Sequence, residues 1–553
     1  MSLNLYSILN LCNFRIAMDE SKHLQFFSVI ILLVLHVSNS HAASSSDSIY
    51  VTFLQCLQNH TTPQDQVSNI VYAQTHASYT SIFQAFARNG RFKFNTPSNV
   101  IKPLLIITPL HENHVQATVL CSKTIGLHLK IRSGGHDFDG ISYISNSPFI
   151  MLDMFNFQNV TVDIQNEIAV IQAGASLGQL YYRIWEKSKV HGFPGGVCPT
   201  VGVGGLLSGA GYGVMMRKFG LSIDHVIDAK IVDVNGRILD KKTMGEDLFW
   251  AIRGGGGASF GVILSYTVKL VSVPEKVTVF TVDMSLEKNV VDIIVQWQQV
   301  APRTDDRLFM RLLMQPVNGQ KTNNVSIKAL FLGGADEVVA LLGKEFPLLG
   351  LKKENCSEVS WIEAVYYWAN YDDGASLEAL VDRSHYTVHF SKRKSDYVKS
   401  PISKDGWKWI MKKMIENEKV ELDFNPYGGK MSEVGSNATA FPHRAGNLYK
   451  IQYTVKWERP EAGLEENFLS QIRKMYSYLT PFVSKNPRSA YLNYRDIDIG
   501  INNHGKDEYS EGVVYGKKYF GENFERLVKV KTQVDPQNFF WNEQSIPTLP
   551  KYA

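Results

Sequence analysis

The sequence predicts an α+β protein of two or three domains, and the order of its apolar segments carries this prediction. The chain has 553 residues, enough for several domains with a sizeable core. Short apolar runs such as residues 103–109, which lie between prolines, favour buried strands, and they alternate with longer helical patterns such as residues 111–125. A composition of 44% apolar and 20% charged residues is ordinary for a globular protein. The net charge of +4, without a basic cluster, argues against nucleic acid as a partner.

The predicted elements alternate along the whole chain. In the first half, residues 48–86 are predicted to be mostly helical. Strands are predicted at 103–109, 127–131, 149–152, 168–173, 227–234 and 262–270, and helices at 111–125, 177–188 and 246–252. Pro274 marks a predicted domain boundary. Beyond it, strands at 277–282, 309–314, 325–331 and 448–457 and helices at 289–300, 336–346 and 464–479 indicate a sheet with helices.

The N-terminus is predicted to be a secretory signal. Residues 26–37 are apolar but shorter than the ~20 residues that a membrane span needs. Residues 40–42 offer a cleavage site before Ala43, and Met18, followed by Lys22, makes a better start than Met1. We therefore predict a signal region at 1–42, with a signal anchor as the alternative. The mature protein would then be extracellular, apoplastic or vacuolar, without a stable membrane anchor.

Secretion changes how the cysteines and sequons are interpreted. Cys56 and Cys121 flank the first mature segment and could form a disulfide in an oxidising compartment. Cys198 and Cys356 remain, and Cys356 is predicted to be buried and inert. Five sequons fit a glycosylated protein, at Asn59, Asn159, Asn324, Asn355 and Asn437.

Two reactive side chains lie in glycine-rich runs. His136 lies in the run Arg132-Ser133-Gly134-Gly135-His136-Asp137, and Cys198 lies in residues 195–205. Glycines lack Cβ atoms, so the backbone N–H groups of such turns can approach a phosphate or a flat ring. Either residue alone would be weak evidence. Together they predict a large bound cofactor, held covalently.

Three other patterns resemble functional motifs but lack a feature that each motif requires. Residues 257–261 match a hydrolase nucleophile elbow, but an alternating strand follows them where that motif requires a helix. Residues 111–114 lack the histidine spacing of a zinc signature, so they are interpreted as polar residues at a helix start, and no metal is predicted. No glycine run supplies G-x-G-x-x-G between a strand and a helix, as a Rossmann site requires.

Both glycine-rich runs, with their spacing, resemble the flavin site of plant berberine-bridge-enzyme-like FAD oxidoreductases. Residues 244–256, 425–429, 441–447, 491–496 and 534–540 are further hallmarks, and residues 542–547 are similar to those of cannabinoid synthases. The resemblance implies a two-lobed vanillyl-alcohol-oxidase-type FAD-binding domain (43–274). It also implies a substrate domain with an antiparallel sheet (275–487) and a C-terminal segment that rejoins the FAD domain (488–553).

The resemblance also implies the cofactor contacts. FAD would be bonded to both His136 and Cys198, and Cys56 would pair with Cys121. The remaining contacts implied are Arg132, Ser133, Gly134, Gly135, Asp137, Thr200, Val201, Gly204, Gly205, Ser208, Gly211, Tyr212, Glu246, Val262 and Asn493.

Four residues match the catalytic positions of that family. Tyr494 matches its catalytic tyrosine, Tyr212 and Lys450 match a supporting pair, and Gln452 replaces the glutamate base of alkaloid-bridging relatives. A tyrosine beside a cation can act as a base through a depressed pKa. Departures from the family pattern at Leu206, Phe138 and Gln452 predict a more apolar pocket, poorer in acid–base groups.

Three functions remain open from the sequence. The first is a monomeric FAD-dependent oxidase that dehydrogenates or cyclises a prenylated phenolic and is reoxidised by O2. The second is a redox-neutral cyclase that catalyses an intermolecular Diels–Alder [4+2] addition by positioning alone, as some flavin-containing relatives do. The third, a secreted binding or storage flavoprotein, conflicts with the full set of residues at catalytic positions.

Overall fold

The computed structural model describes residues 48–94, 100–284, 289–317, 319–320, 322–371, 376–384, 387–460, 463–505 and 507–550. By its contacts the chain divides into two units, residues 1–55 and 56–553. In the first unit, residues 48–55 are helical. The predicted signal region, its cleavage site and Met18 lie outside the described residues. All four sheets belong to the second unit.

A four-stranded sheet holds the turn that carries His136. It consists of β1 (Val71–Ala73), β2 (Leu105–Ile107), β3 (His128–Arg132) and β4 (Phe149–Asp153), in the order β1-β2-β4-β3. Strands β2, β4 and β3 are parallel, and β2 and β4 are buried along their whole length. Parallel strands need a crossover connection, which a helix at Glu112–Ile125 supplies between β2 and β3. The His136 turn follows the end of β3 directly.

A second, antiparallel sheet has five strands. They are β5 (Val160–Asp163), β6 (Ile168–Gln172), β8 (Val226–Val232), β9 (Ile238–Leu239) and β10 (Val262–Lys269), in the order β5-β6-β10-β8-β9. A small pair joins β7 (His191–Gly192) to β11 (Val271–Ser272). Strand β10 alternates between buried and half-buried residues, so one face packs on the core.

The largest sheet has seven antiparallel strands, all within residues 277–457. They are β12 (Val277–Asp283), β13 (Leu308–Pro316), β14 (Asn323–Phe331), β15 (Cys356–Val359), β16 (Phe390–Val398), β17 (Glu421–Pro426) and β18 (Tyr449–Trp457). Their order is β15-β12-β14-β13-β17-β18-β16. The predicted α+β class with an antiparallel sheet is confirmed.

Helices cover the sheets and connect their strands. Residues 56–60 are helical. Beyond them the helices are α1 (Tyr79–Ala85), α2 (Gly90–Lys93), α3 (Glu112–Ile125), α4 (Leu177–Lys187), α5 (Val203–Gly209), α6 (Met216–Phe219), α7 (Lys241–Ala251), α8 (Val290–Val300), α9 (Ala335–Glu345), α10 (Trp361–Ala369), α11 (Lys404–Glu416), α12 (Lys430–Glu433), α13 (Leu464–Tyr478), α14 (Glu508–Phe520) and α15 (Phe524–Val534). Across the part of the chain that the structure describes, no helix is long and apolar enough to cross a membrane.

The structure confirms two expectations and corrects one. Residues 48–86 are mostly helical, as predicted, although residues 71–73 form β1, whose ladder partner β2 is distant in sequence. Cys356 is half-buried and not buried, because β15 is a strand at the edge of the seven-stranded sheet. The disulfide between Cys56 and Cys121 is present, with a Cα–Cα distance of 5.7 Å.

Candidate active site

One cavity of about 390 Å³ lies where the two glycine-rich runs meet the seven-stranded sheet. The runs around His136 and Cys198 supply one wall of the cavity, and Tyr212 and Tyr494 also line it. Arg311, Arg393 and Gln452 enter from the seven-stranded sheet, and the glycines of residues 257–261 line the cavity from the segment that precedes β10. Those glycines precede a strand, as the sequence indicated, and they belong to the cavity wall.

The two glycine-rich turns pack against each other at contact distance. A Cβ atom on Gly134 would lie 2.2 Å from the backbone nitrogen of Gly202. Gly135 has a φ of +66°, and its Cβ would lie 1.6 Å from the carbonyl oxygen of Phe86. Only glycine fits at these two positions, and their close packing brings the two reactive residues to the same place.

The His136 ring and the Cys198 thiol contact the same hydroxyl group. The His136 Nε2 atom is 2.9 Å from the Thr200 Oγ1 atom, and the Cys198 Sγ atom is 3.6 Å from it. Burial lowers the pKa of His136 well below its usual value, and the charges of Arg88 and Arg393 lower it further. The imidazole is therefore neutral at pH 7, the form that can act as a nucleophile.

The predicted catalytic tyrosine belongs to a buried aromatic cluster. The hydroxyl groups of Tyr212 and Tyr494 are hydrogen-bonded to each other. The Nζ atom of Lys450 lies 3.1 Å from the ring centre of Tyr212, 3.8 Å from that of Tyr491 and 4.5 Å from that of Tyr494. Within the described residues this nitrogen has no hydrogen-bond partner, so it contacts ring faces and not hydroxyl groups. The structure thus brings together three of the four predicted catalytic side chains.

The expected depression of the Tyr494 pKa is wrong for this structure. Burial raises the pKa of Tyr494 well above its usual value, and Tyr212 raises it further, whereas Arg311 lowers it. Burial also lowers the pKa of Lys450 well below its usual value, with Arg311 acting in the same direction. The burial of Lys450 therefore disfavours the charged form that a cation beside Tyr494 requires. The charged group that opposes the burial of its phenolate is Arg311.

The face of the seven-stranded sheet that meets the cavity carries two arginines that sequence analysis missed, beside the predicted Gln452. Arg311 on β13 donates from its Nε atom to the Oδ1 atom of Asn425 at 2.7 Å. Arg393 on β16 stacks on Phe138, with 4.3 Å between its Cζ atom and the ring centre. Gln452 on β18 is largely buried, only 7% exposed. No local motif marks the two arginines, because only the sheet register brings their strands to the cavity.

Most of the predicted cofactor contacts lie on the cavity wall. Those that do are Ser133, Gly134, Gly135, His136, Asp137, Cys198, Val201, Gly204, Gly205, Ser208, Tyr212 and Asn493. Thr200, Gly211 and Val262 adjoin residues of the wall without lining it. Lys450 lies behind the tyrosines.

Arg132 and Glu246 are placed away from the cavity. The guanidinium of Arg132 is fully buried and pairs with Asp153 at 2.6 Å, and it also donates to the carbonyl oxygens of Ile82 and Phe83. Its charge is used to hold α1 to β4, so the structure does not support a cofactor contact. Glu246 is exposed on α7 beyond the break in that helix at Gly245.

A buried network of charged groups connects the site to the sheet. We call it the buried ion network: Lys392 and Lys394 on β16, with Asp139, Asp496 and Asp498. The Nζ atom of Lys392 is 2.6 Å from Asp139 and 2.8 Å from Asp496, and Lys394 is 2.6 Å from Asp496 and 2.7 Å from Asp498. Burial lowers the pKa of Lys392, but the three carboxylates outweigh it and raise the pKa to about 12.

This fold and this site define a class of protein, the FAD-binding oxidoreductases. A family model described as "FAD binding domain" matches residues 103–241, and one described as "Berberine and berberine like" matches residues 490–547. The chain is 58% identical over 529 residues to "Berberine bridge enzyme-like 21" of Arabidopsis thaliana, covering 95% of this chain and 97% of that protein. It is 49% identical over 512 residues to "Tetrahydroberberine oxidase" of Berberis wilsoniae, covering 91% and 95%.

Solved structures agree with this assignment. Phl p 4, "a grass pollen allergen with glucose dehydrogenase activity", matches with a TM-score of 0.85 at 41% identity, over 90% of this chain and 100% of that one. The chain therefore belongs to the berberine-bridge-enzyme-like family of FAD-dependent oxidoreductases, as the resemblance implied.

The residues of the cavity fit FAD. Gly205 lines the wall, and a Cβ atom there would meet nothing within 4 Å, so its surface is open to a ligand. The Nε atom of Arg393 is buried without a hydrogen-bond partner in the described part of the chain. His136 and Cys198 would hold the flavin ring, and the backbone of the glycine-rich turns would accommodate the rest of the cofactor.

The buried ion network generates a stability prediction. Lys392→Met should lower the free energy of unfolding by about 3–5 kcal/mol, because it removes the ammonium group that Asp139 and Asp496 share and leaves Asp139 only the longer ion pair with Arg91, at 3.4 Å. Denaturant unfolding measures this change. The matched control is Lys430→Ala, which breaks an exposed i,i+3 pair with Glu433 and should cost at most about 1 kcal/mol. Equal effects of the two substitutions would contradict the structural role of the network.

Proposed function

We propose that the protein is an oxidase that removes a hydride and a proton from a hydroxyl-bearing small molecule. The observation that carries this proposal is the hydrogen-bonded pair of Tyr212 and Tyr494, which faces the cavity shared by His136 and Cys198. FAD, when bound, supplies the acceptor for the hydride and is reoxidised by O2 to give hydrogen peroxide. The chain itself supplies orientation and proton handling.

The proton transfer is assigned to Tyr494. The phenolate form of Tyr494 accepts the proton of the substrate hydroxyl while a hydride leaves a substrate carbon, so that the C–OH group becomes C=O. The hydroxyl groups of Tyr212 and Tyr494 share one hydrogen bond, which fixes the position of the Tyr494 oxygen, and the charge of Arg311 favours the Tyr494 phenolate electrostatically. Lys450, behind the rings, holds the tyrosines in place through its contacts with their faces.

Two classes of substrate fit different parts of the cavity. A prenylated phenolic fits the apolar groups around the flavin side, including Leu206 and Phe138, and remains our first candidate. A carbohydrate is the second, because Arg311, Arg393 and Gln452 offer hydrogen-bonding groups on the sheet side. The relative Phl p 4, described as a glucose dehydrogenase, makes this second class worth testing.

A redox-neutral Diels–Alder cyclase is the alternative reaction. The absence of a carboxylate at position 452 favours it, since a cycloaddition requires no base. The two reactions differ in one observable, because only the oxidase bleaches the flavin when substrate is added without O2.

We predict that FAD is attached to both His136 and Cys198. The neutral imidazole and the thiol contact the same Thr200 hydroxyl, so one flavin ring can reach both. Denatured protein should keep its yellow colour, and peptide mapping should find one flavin joining two peptides. His136→Ala should leave a single thioether link. Release of all flavin as free FAD from the denatured wild-type protein would contradict double attachment.

We predict that Tyr494→Phe lowers the rate of anaerobic flavin reduction by about 10²–10⁴-fold, the range for the loss of a general base. Flavin content should not change, because the ring still packs beneath Tyr491 and Tyr212. The matched control is Tyr491→Phe in the same cluster. Its hydroxyl is not bonded to Tyr494, and its loss should cost less than about tenfold.

The cyclase alternative predicts a different outcome for Tyr494→Phe. Product formation should fall by only about tenfold, as for one neutral hydrogen bond. Substrate should also leave the flavin absorbance of the wild-type protein unchanged under anaerobic conditions. These two results together would overturn the oxidase proposal.

We also propose that the protein is a secreted, glycosylated monomer. The disulfide supports this, and so do four exposed sequon asparagines, Asn59, Asn159, Asn355 and Asn437, whereas Asn324 is half-buried on β14. Protein produced through a eukaryotic secretory pathway should lose mass when treated with an N-glycosidase. An unchanged mass would contradict the glycosylation.

A further inference from the structure

Asp423 lies on the face of the seven-stranded sheet that meets the cavity. It is paired in register with Gln452 on β18 and with Leu313 on β13. Directly opposed residues of antiparallel strands project from the same face, with Cβ atoms about 4.5–5.5 Å apart. Gln452 lines the cavity, and so does Arg311, two residues before Leu313. Asp423 therefore lies between two strands whose side chains form the cavity wall; it adjoins the wall without lining it, and its charge acts on the Tyr212 hydroxyl group inside the cavity.

Its neighbours on the same face have partners, and its carboxylate has none. Glu421 pairs with Lys456 at 3.0 Å, and Asn425 accepts from Arg311 at 2.7 Å. Among the residues that the structure describes, no hydrogen bond or ion pair reaches the carboxylate of Asp423. The side chain is half-buried, so a ligand can still approach it.

An unpaired carboxylate in this position is costly. Burial raises the pKa of Asp423, and Arg311 partly offsets this effect. Transferring a carboxylate out of water costs free energy unless a donor replaces the lost hydrogen bonds. The charged and titratable groups that act on the carboxyl are Arg311, Glu421, Lys456 and Arg393, and none of them forms an ion pair with it. A ligand that carries a hydrogen-bond donor could therefore supply the partner that the Asp423 carboxylate lacks.

We propose that Asp423 is a substrate-binding residue whose carboxylate accepts a hydrogen bond from a second hydroxyl group, adjacent to the one that is oxidised. This proposal rests on the proposed function, since it places the substrate between Tyr494 and the sheet. The required chemistry is a pair of neighbouring hydroxyl groups. An ortho-diphenol and a sugar both carry such a pair, so the experiment includes both sources.

The test measures binding, which does not require turnover. Titration calorimetry with the flavin-loaded protein would compare 3,4-dihydroxybenzyl alcohol with 4-hydroxybenzyl alcohol, and D-glucose with 2-deoxy-D-glucose, under anaerobic conditions. The first compound of each pair carries the two adjacent hydroxyl groups and is called the dihydroxy member. In at least one pair, the wild-type protein should bind this member more tightly. Asp423→Asn should weaken binding of that member by about 10- to 100-fold, the range for a hydrogen bond to a charged group, and change the other member by less than about threefold.

Glu421→Gln is the matched control, because it removes a carboxylate from the same strand and face whose partner is Lys456. It should change neither affinity. Asp423→Asn should also unfold at the same temperature as the wild-type protein or higher, since it removes an unpaired carboxylate. Equal loss of affinity for both members of a pair would overturn the proposal, and so would a wild-type protein that does not distinguish them. If the dihydroxy probe binds through Asp423 but leaves the flavin oxidised, the oxidase proposal fails and the binding role stands.

Discussion

The arrangement of the site depends on the buried ion network. Asp139 lies three residues after His136, and Asp496 lies two residues after Tyr494. Both carboxylates bind Lys392, and Asp139 also accepts from the backbone N–H of Ile497 at 2.9 Å. Buried charges of opposite sign tolerate little displacement, because separation leaves each one desolvated and unpaired. The flavin-attachment turn, the tyrosine turn and β16 are thereby held in one geometry.

The two walls of the cavity have different roles. The flavin side is made of backbone and glycine, so that a flat ring can approach closely, and it presents a neutral histidine and a thiol. The sheet side is made of long polar side chains on alternating strand positions, which can select a substrate. The tyrosine pair lies between the two walls, where a substrate hydroxyl would have to give up its proton. Burial opposes formation of a phenolate there, so Arg311 matters more to proton transfer than Lys450.

The sequence predicted those parts of the site that depend on local pattern. The two glycine turns and most helices and strands follow from composition and spacing within short windows, whereas the disulfide pairing and the role of Tyr494 were implied by the resemblance to the family. Arg311, Arg393 and Asp423 could not be predicted in this way, because only the order β13-β17-β18-β16 brings them to one face. Arg132 adjoins a cofactor turn in sequence, but the folded chain pairs its side chain with Asp153, a contact that local sequence does not indicate. The pKa of Tyr494 was misjudged because burial is a property of the folded chain.

The central claim is that substrate oxidation, and not positioning alone, is the reaction of this cavity. The most direct measurement is the ratio of hydrogen peroxide formed to product formed by the purified protein in air. In each cycle two electrons pass from the substrate to O2. The oxidase proposal therefore predicts one hydrogen peroxide formed and one O2 consumed for each molecule of product. Product that accumulates without hydrogen peroxide and without O2 consumption would contradict it.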